Sequence, residues 1–200
     1  MAILAEWRHL CAEIAKLEQE IQRTSFPLPS PRMQQLLIVA EDRRLGYHPG
    51  ADVIALGRAA WCTWFCGARQ GGSTIAMQLV RTLTGKYQRN MRRKIVEVIL
   101  AIMLTRKASS ERLPLLYLWC AYYGWRMNGF PAACRRLRMD PAHMDLRDEA
   151  EIVARLKYPQ PREPSSARMN TIARRGRHLE ALLLSGRLPR RWGNVVKPDV

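Results

Sequence analysis

No stretch of the sequence offers the unbroken run of about 18 or more apolar residues that a membrane-spanning helix needs. The first residues also lack a basic segment followed by an uninterrupted apolar core, which a cleavable signal peptide would show. The sequence therefore excludes a conventional membrane span and does not support a secretory leader. On this ground alone, a cytoplasmic location stays open.

Acidic residues are scarce. The chain of 200 residues has 17 aspartates and glutamates against 33 lysines and arginines, a formal net charge of +16. Most of the cations are arginines, whose planar guanidinium groups bind phosphate through paired hydrogen bonds. We therefore expect a polyanionic partner: nucleic acid, an anionic membrane surface or a phosphorylated substrate. An apolar content of 48% argues against a disordered chain, and the length suits one domain with a real core.

A disulfide or zinc framework is also missing. The five cysteines are Cys11, Cys62, Cys66, Cys120 and Cys134. Cys62 and Cys66 are spaced to share one helix face, but no histidine or second cysteine pair with zinc-site spacing accompanies them. We interpret the cysteines as small buried apolar residues.

The chain divides into three parts by composition. Residues 1–32 hold an amphipathic helix over 2–23 and a stiff, proline-rich linker over 25–31; the helix either packs on the domain, the commoner outcome, or lies on a membrane surface. Residues 33–184 form a compact domain, and residues 185–200 form an irregular tail. The domain pattern is mainly α, without a persuasive strand, and predicts helices over 52–67, 75–83, 95–104, 112–124, 131–137, 148–156 and 167–184.

Acidic groups follow directly on an apolar helix pattern at residues 38–52. The run ends in Glu41 and Asp42 and leads through His48 into a Pro-Gly break, so the helix would present carboxylates at a turn. An ordinary solvated helix end gives the same pattern. Within the next helix, Trp61, with Trp64 and Phe65, fits either a corner of the core or a membrane-interface face.

An anion-binding pattern follows at residues 70–94. The loop 70–74 has two glycines and opens a helix with Ser73 or Thr74 as N-cap, and free N–H groups at such a start favour an anion. Basic residues then cluster at Lys86, Arg89, Arg92, Arg93 and Lys94. Glu97 comes next in an otherwise apolar helix, where a lone carboxylate needs a cation, a metal or a hydrogen-bond network. A structural salt bridge and a functional role are both open for it.

In order along the chain, these pieces resemble the peptidoglycan glycosyltransferase domain, glycosyltransferase family 51. Residues 41–50 (E-D-R-R-L-G-Y-H-P-G) are similar to its first motif E-D-x-x-F-x-x-H-x-G, and residues 71–79 (G-G-S-T-I-A-M-Q-L) to its G-G-S-T-I-T-Q-Q-L. Residues 93–97 (R-K-I-V-E) match R-K-x-x-E. Weaker likenesses extend over 116–124, 129–133 and 149–159, so the resemblance covers about residues 33–183.

The resemblance implies a mainly α, lysozyme-like fold and an inverting peptidoglycan transglycosylase that polymerises lipid II into glycan strands, releasing undecaprenyl pyrophosphate. Glu41 would be the general base, and Glu97 would position the donor pyrophosphate or hold Mg²⁺ or another divalent cation. Substrate-binding residues would be Asp42, His48, Ser73, Thr74, Gln78, Arg81, Arg89, Arg93 and Lys94. Partners would be lipid II, the nascent strand and the membrane surface, with a transpeptidase or other cell-wall synthesis protein beside it, on the periplasmic face of a bacterial inner membrane.

The sequence departs from the family pattern at several positions. Leu45 replaces an aromatic residue, Ala76 and Met77 replace polar ones, Thr82 and Trp119 replace asparagines, and Thr105 replaces a glutamate. We expect weakened activity if Met77 and Trp119 lie at the cleft. The alternatives are a catalytically impaired relative that binds lipid-linked precursor or glycan, and a basic nucleic-acid-binding protein, which no recognisable nucleic-acid motif supports. A lysozyme-like hydrolase would leave the basic cluster without a role.

Overall fold

The structure, a computed structural model, describes residues 2–65, 71–88 and 90–186. The fold over these residues is mainly helical, as the sequence predicts, with one small antiparallel hairpin. No helix of this part is both long and apolar enough to cross a membrane. The elements are α1 (Ala2–Arg23), α2 (Pro31–Glu41), α3 (Val53–Phe65), α4 (Ile75–Thr84), α5 (Met91–Lys107), α6 (Leu113–Cys120), β1 (Tyr122–Gly124), β2 (Met127–Asn128), α7 (Phe130–Leu137), α8 (Leu146–Lys157) and α9 (Ser166–Leu184).

Helix α1 forms over the predicted residues and packs on the domain. Its apolar stripe buries Leu10, Ile14 and Leu17 against α4 and α6, as helical spacing of apolar residues dictates. Near its end, Glu20 accepts a hydrogen bond from the indole Nε1 of Trp119 at 3.1 Å. The apolar stripe of α1 thus belongs to the core of the protein.

The linker ends at a firmly fixed helix start. Ser30 is the N-cap of α2 and accepts from the Met33 amide, while its hydroxyl donates to Glu149 on α8 at 2.6 Å. Pro31, which the sequence assigns to the linker, is the first residue of α2; this position tolerates proline because its missing N–H would have no helical partner. Arg32 adds an ion pair to Glu149.

Helix α2 runs through the centre of the domain. It contacts α6, α8 and α9, and its consecutive residues Leu36, Leu37, Ile38 and Val39 are all buried, which only a helix surrounded by neighbours can achieve. Helix α4 is the other central element, packed on α1, α5 and α6. The end of α2, helix α4 and the start of α5 hold most of the candidate site.

Helix α3 leaves apolar side chains in solvent. Val53, Ile54 and Trp61 are exposed, although Trp61 keeps contacts of its own. A corner of the core is therefore not the environment of Trp61. The side chains of Trp64 and Phe65, and the loop 66–70 with Cys66, lie outside the described residues, and so does the side chain of Cys62.

The prediction of one helix over 112–124 is wrong at its end. Helix α6 stops at Cys120, and the chain turns into strand β1, which pairs with β2. Tyr123 is fully buried, and its hydroxyl donates to the Leu118 carbonyl at 2.7 Å, so tertiary packing overrides the helical pattern. The hairpin turns at Trp125 and Arg126, and Gly129 is the N-cap of α7.

The cysteines whose side chains are described behave as predicted. Cys11, Cys120 and Cys134 are free and at least partly buried. Burial raises the pKa of the Cys120 and Cys134 thiols to about 12, so both remain protonated at neutral pH.

Gly124 is the tightest point of the hairpin. Its φ is +142°, and a Cβ there would lie 2.2 Å from the carbonyl oxygen of Gln160. The close approach of the two backbones lets the Trp125 amide donate to the Gln160 carbonyl and the Gln160 amide donate to the Tyr123 carbonyl. The absence of a side chain at Gly124 therefore allows the hairpin to hydrogen-bond to the segment after α8.

We expect Gly124→Ala to destabilise the protein by about 2 kcal/mol or more, since it adds both backbone strain and a clash with main-chain atoms. Gly57→Ala is the matched control, because this exposed helical glycine in α3 has nothing within 4 Å of its added Cβ. It should be neutral or stabilise by up to about 1 kcal/mol. Denaturant unfolding followed by circular dichroism measures both, and equal midpoints for the two variants would contradict the described hairpin.

Candidate active site

Helix α2 delivers two carboxylates to a turn, as the sequence predicts. Glu41 is its last residue and is partly buried, and Asp42 is its C-cap. The chain reverses after Asp42 and returns through His48 and Gly50. The two neighbouring acids have different surroundings.

Asp42 is tied into the scaffold. Its Oδ1 lies 2.9 Å from His48 Nε2, and its Oδ2 accepts from the Ile75 amide at the start of α4 at 3.1 Å. The Gly50 amide donates to His48 Nδ1, which places the ring proton on Nε2 and makes the imidazole a donor to Asp42. Asp42 and His48 thereby join the end of α2, the following loop and α4.

Thr74 and Gly50 add further contacts between the loop after α2, the start of α4 and helix α5. Thr74 is the N-cap of α4, as the sequence allows, and its hydroxyl donates to the Gly50 carbonyl at 2.6 Å. Gly50 has φ +107°, and a Cβ there would lie 2.3 Å from the Ala101 carbonyl of α5. Asp42, His48 and Thr74 are thus occupied with structural contacts, and their predicted role in substrate binding stays a prediction.

Glu41 faces a different environment. Gln78 on α4 donates from Nε2 to its Oε2 at 3.0 Å. Burial raises the pKa of Glu41 most strongly, and the nearby Asp42 charge adds to this, whereas the Gln78 hydrogen bond and the charges of Arg175 and Lys157 hold the pKa down. The net shift is upward. Glu41 is therefore a carboxylate poised to accept a proton.

Glu97 sits in a cluster of cations. Its Oε1 accepts from Arg81 at 2.9 Å and from Lys94 at 3.1 Å, and its Oε2 accepts from Arg81 at 3.2 Å and from Arg93. The carboxylate is only 3% exposed, while the three cations keep 16% to 30% of their side chains in contact with solvent. The salt bridge that the sequence left open for Glu97 is confirmed.

Ser73 extends the cluster toward the glycine loop. Its hydroxyl accepts from Arg81 at 3.2 Å and from Lys94 at 2.9 Å. Burial acts to raise the pKa of Glu97, but the hydrogen bonds and charges of Arg81 and Lys94 outweigh it and lower the pKa. Because one carboxylate meets three cations, the cluster has positive charge in excess and can receive an anion. Arg89, the remaining predicted member, lies outside the described residues.

Helix α4 joins the two centres. Gln78 reaches Glu41 and Arg81 reaches Glu97, and the two residues are one turn apart on the same helix. A proton acceptor on α2 and an anion-binding cluster on α5 are therefore both contacted by side chains of one rigid helix. This arrangement suits a group transfer in which an acceptor loses a proton and an anion departs.

Three residues near Glu41 were missed by the sequence analysis as site residues. The charges of Lys157, at the end of α8, and Arg175, on α9, lower the pKa of Glu41, and Arg175 also donates to the Ala40 carbonyl at 3.2 Å. Tyr117 on α6 is close enough for the Glu41 charge to raise its pKa, after the larger effect of burial. Tyr117 falls within a motif-like segment, but no local pattern marks Lys157 or Arg175.

The residues present do not form a metal site by themselves. No group of three or more His, Cys, Asp or Glu side chains able to hold a metal occurs in the described part of the chain. Both oxygens of Glu97 accept from cationic side chains, so a divalent cation at Glu97 would meet strong repulsion. The predicted metal role of Glu97 stays a prediction, and we derive no step from it.

The departures from the motif pattern are buried residues or residues that hydrogen-bond within their own helices. Leu45 and Met77 are buried in the core, and Trp119 is 3% exposed with its indole N–H donating to Glu20. Thr82 and Thr105 each donate to a backbone carbonyl one turn earlier in their own helices. Met77 and Trp119 are therefore core side chains in this structure.

Comparison with known proteins agrees with this geometry. The Transglycosylase family model matches residues 10–183. Over 158 residues the chain is 34% identical to penicillin-binding protein 1A of Escherichia coli (strain K12), covering 78% of this chain and 19% of that protein. Penicillin-binding protein 1A of Aquifex aeolicus (strain VF5) is 33% identical over 151 residues, covering 74% of this chain and 21% of that protein.

A third relative is penicillin-binding protein 1F of Bacillus subtilis (strain 168), 35% identical over 103 residues, which cover 51% of this chain and 14% of that protein. The chain thus spans about a fifth or less of the length of these curated relatives. Since the family model covers most of the chain, the chain belongs to the transglycosylase family and has its lysozyme-like glycosyltransferase fold.

Proposed function

We propose that this protein is a peptidoglycan glycosyltransferase that polymerises lipid II into glycan strands and releases undecaprenyl pyrophosphate. One observation carries the proposal: α4 holds Gln78 against Glu41 and Arg81 against Glu97, so one helix links a poised base on α2 to a cationic cluster shared with α5. Polymerisation needs both, because the acceptor hydroxyl must lose a proton while a charged leaving group departs.

Glu41 is the proposed general base. As a carboxylate it removes the proton from the 4-hydroxyl of the acceptor sugar, whose oxygen attacks the anomeric carbon of the lipid-linked donor chain from the side opposite the leaving group. The Gln78 hydrogen bond favours the ionised form and fixes the orientation of Glu41. The charges of Lys157 and Arg175 support the same form.

The cations around Glu97 are the proposed site of the leaving pyrophosphate. Arg81, Arg93 and Lys94 are held together by Glu97 while each keeps part of its side chain accessible. Fixed cations stabilise the charge that develops on the departing oxygen without having to reorganise. Glu97 acts here by positioning these groups, and Ser73 links two of them to the glycine loop.

The environment of the substituted residues favours an enzyme over a catalytically impaired relative. Leu45, Met77 and Trp119 are buried among core side chains, and the Glu41 and Glu97 clusters keep their polar contacts. The basic residues of the cluster are accounted for by a phosphorylated substrate, so nucleic acid is not needed to explain them.

We also propose that the protein works at a bacterial membrane surface, on its periplasmic face and beside a transpeptidase. The exposed side chains of Val53, Ile54 and Trp61 give α3 an apolar surface suited to an interface. The named relatives are penicillin-binding proteins of which this chain covers a small part, which supports a partnership with further cell-wall synthesis functions.

We expect Glu41→Gln to reduce glycan polymerisation by about 100-fold or more, since the amide cannot accept the proton of the acceptor. Fluorescent lipid II in detergent with magnesium, resolved as polymer on a gel, measures the activity. Binding of lipid II should stay close to that of the parent, because the shape of the side chain is retained. Glu111→Gln, an exposed position on the loop before α6, is the matched control and should polymerise normally.

The outcomes separate the candidate functions. Polymer from the parent and the control but not from Glu41→Gln supports the enzyme and its base. Lipid II binding without polymer from any of them would indicate the impaired relative. If neither lipid II binding nor polymer is found, and steeply salt-dependent DNA binding appears instead, the function is nucleic-acid binding.

The pH dependence of kcat/KM should report the raised pKa of Glu41. Activity requires the ionised carboxylate, so it should fall with decreasing pH through a pKa above that of an ordinary glutamate. Gln78→Met removes the hydrogen bond that favours the ionised form, and the acid limb should move to still higher pH. Gln22→Met on the exposed side of α1 should leave it unchanged. An acid limb that does not move in Gln78→Met would contradict the assigned base.

A further inference from the structure

A groove of about 940 Å³ lies between the first turns of α1, the end of α4 and the start of α5. Glu97, Arg81 and Arg93 reach its wall, so it continues the cationic cluster. Ile3, Leu4 and Glu6 of α1 form part of the same wall. These α1 residues precede the region that the family model matches, residues 10–183.

The groove has a charged part and an apolar part. Four cationic side chains, those of Arg81, Lys86, Arg92 and Arg93, outnumber the two carboxylates of Glu6 and Glu97 along its wall. Four of its apolar side chains are exposed to solvent: Ile3, Leu4, Tyr87 and Ile95. An amphiphile with an anionic head and an apolar chain fits both parts.

Two polar atoms on side chains that line the groove are buried without a hydrogen-bond partner in the described part of the chain. They are Oε2 of Glu6 and Nε of Arg93, a free acceptor and a free donor. Buried polar groups are normally satisfied, since leaving one unpaired costs about 1 to 3 kcal/mol. Both atoms are enclosed, so an anion in the groove meets instead the accessible parts of the Arg81, Lys86 and Arg93 side chains.

Glu6 competes with any anion for one of these cations. Its Oε1 lies 2.7 Å from Lys86 Nζ, and the Lys86 carbonyl in turn accepts from Arg93 at 3.5 Å. The ion pair holds the first turns of α1 at the groove and neutralises a charge that faces it. Lys86 keeps 49% of its side chain accessible, so a stronger anion can reach it.

We propose that the first turns of α1 complete the donor site, and that Glu6 is a latch on Lys86 that a lipid-linked pyrophosphate displaces. The proposal rests on the proposed function and deepens it. The pyrophosphate takes Lys86 from Glu6 beside the partly accessible Arg93 side chain, and the first part of the apolar chain lies on Ile3, Leu4, Tyr87 and Ile95. Glu6 thus lowers the affinity of the site for its anionic lipid and sets the threshold for binding.

The test measures binding of a fluorescent polyprenyl pyrophosphate to the full chain in detergent micelles. Glu6→Gln should tighten binding about threefold to tenfold, because it removes a competing carboxylate from a partly exposed cation. Lys86→Met should weaken binding by a similar factor. Glu13→Gln, which breaks the Glu13–Lys16 ion pair elsewhere on α1, is the matched control and should change nothing.

A double variant tests whether the two residues act on each other. In the Lys86→Met background, Glu6→Gln should have little further effect, since the cation it competes for is absent. An undiminished gain in the double variant would overturn the latch. So would unchanged or weaker binding by Glu6→Gln, provided that its circular dichroism and unfolding midpoint match those of the parent.

Two further measurements separate the head group from the chain and the inference from the function. Leu4→Ser should weaken binding of the polyprenyl ligand but not of inorganic pyrophosphate; equal effects on both would remove α1 from the chain-binding surface. If the parent polymerises lipid II but Glu6→Gln does not change binding of the polyprenyl pyrophosphate, the latch is rejected and the proposed glycosyltransferase function stands. If the variants change ligand binding as predicted but the parent forms no polymer, the binding site is supported and the proposed glycosyltransferase function is rejected.

Discussion

The ion cluster around Glu97 is the interaction on which the candidate site depends. A lone carboxylate buried on α5 would be expensive, and Arg81, Arg93 and Lys94 brought together without it would repel one another. The carboxylate and the cations stabilise each other, because both oxygens of Glu97 accept hydrogen bonds from cationic groups. The cluster joins α4 to α5, and Ser73 attaches the glycine loop to it, so the positive groups keep fixed positions while a net positive charge remains for an anion.

The two glutamates of the site lie in different environments, which shift their pKa values in opposite directions and suit them to different roles. Glu97 meets cations directly, and their hydrogen bonds and charges lower its pKa despite burial. Burial dominates at Glu41, where the direct contact is the neutral Gln78 amide, and its pKa rises. A carboxylate whose ionised form is favoured suits the holding of cations, whereas one that takes up a proton more readily suits a base. Helix α4 keeps the two environments apart and at a fixed distance.

The sequence predicts the helices well because their apolar periodicity and caps are local, as the Thr74 cap of α4 shows. It places Glu41 and Glu97 among the site residues through the resemblance of their motifs to the family, whereas the apolar pattern around each of them leaves a structural role open. It fails at 122–124, where the aromatic run is compatible with a helix or a strand. The strand forms because this segment hydrogen-bonds to Gln160, which is far along the chain. Lys157 and Arg175 are missed for the same reason, since only tertiary packing brings α8 and α9 to Glu41.

Helix α1 connects the stability of the domain with the groove beside the cationic cluster. The composition change at the linker predicts a boundary near residue 32, yet Leu10, Ile14 and Leu17 are buried in the same core as α4 and α6. These contacts fix the middle of α1, whereas Leu4 in its first turns remains largely exposed at the groove. The position of Glu6 therefore follows from packing farther along the same helix, since a rigid helix carries its first turn wherever its buried stripe is held. An N-terminal segment that would otherwise serve only the core thus extends the charged site toward an apolar surface.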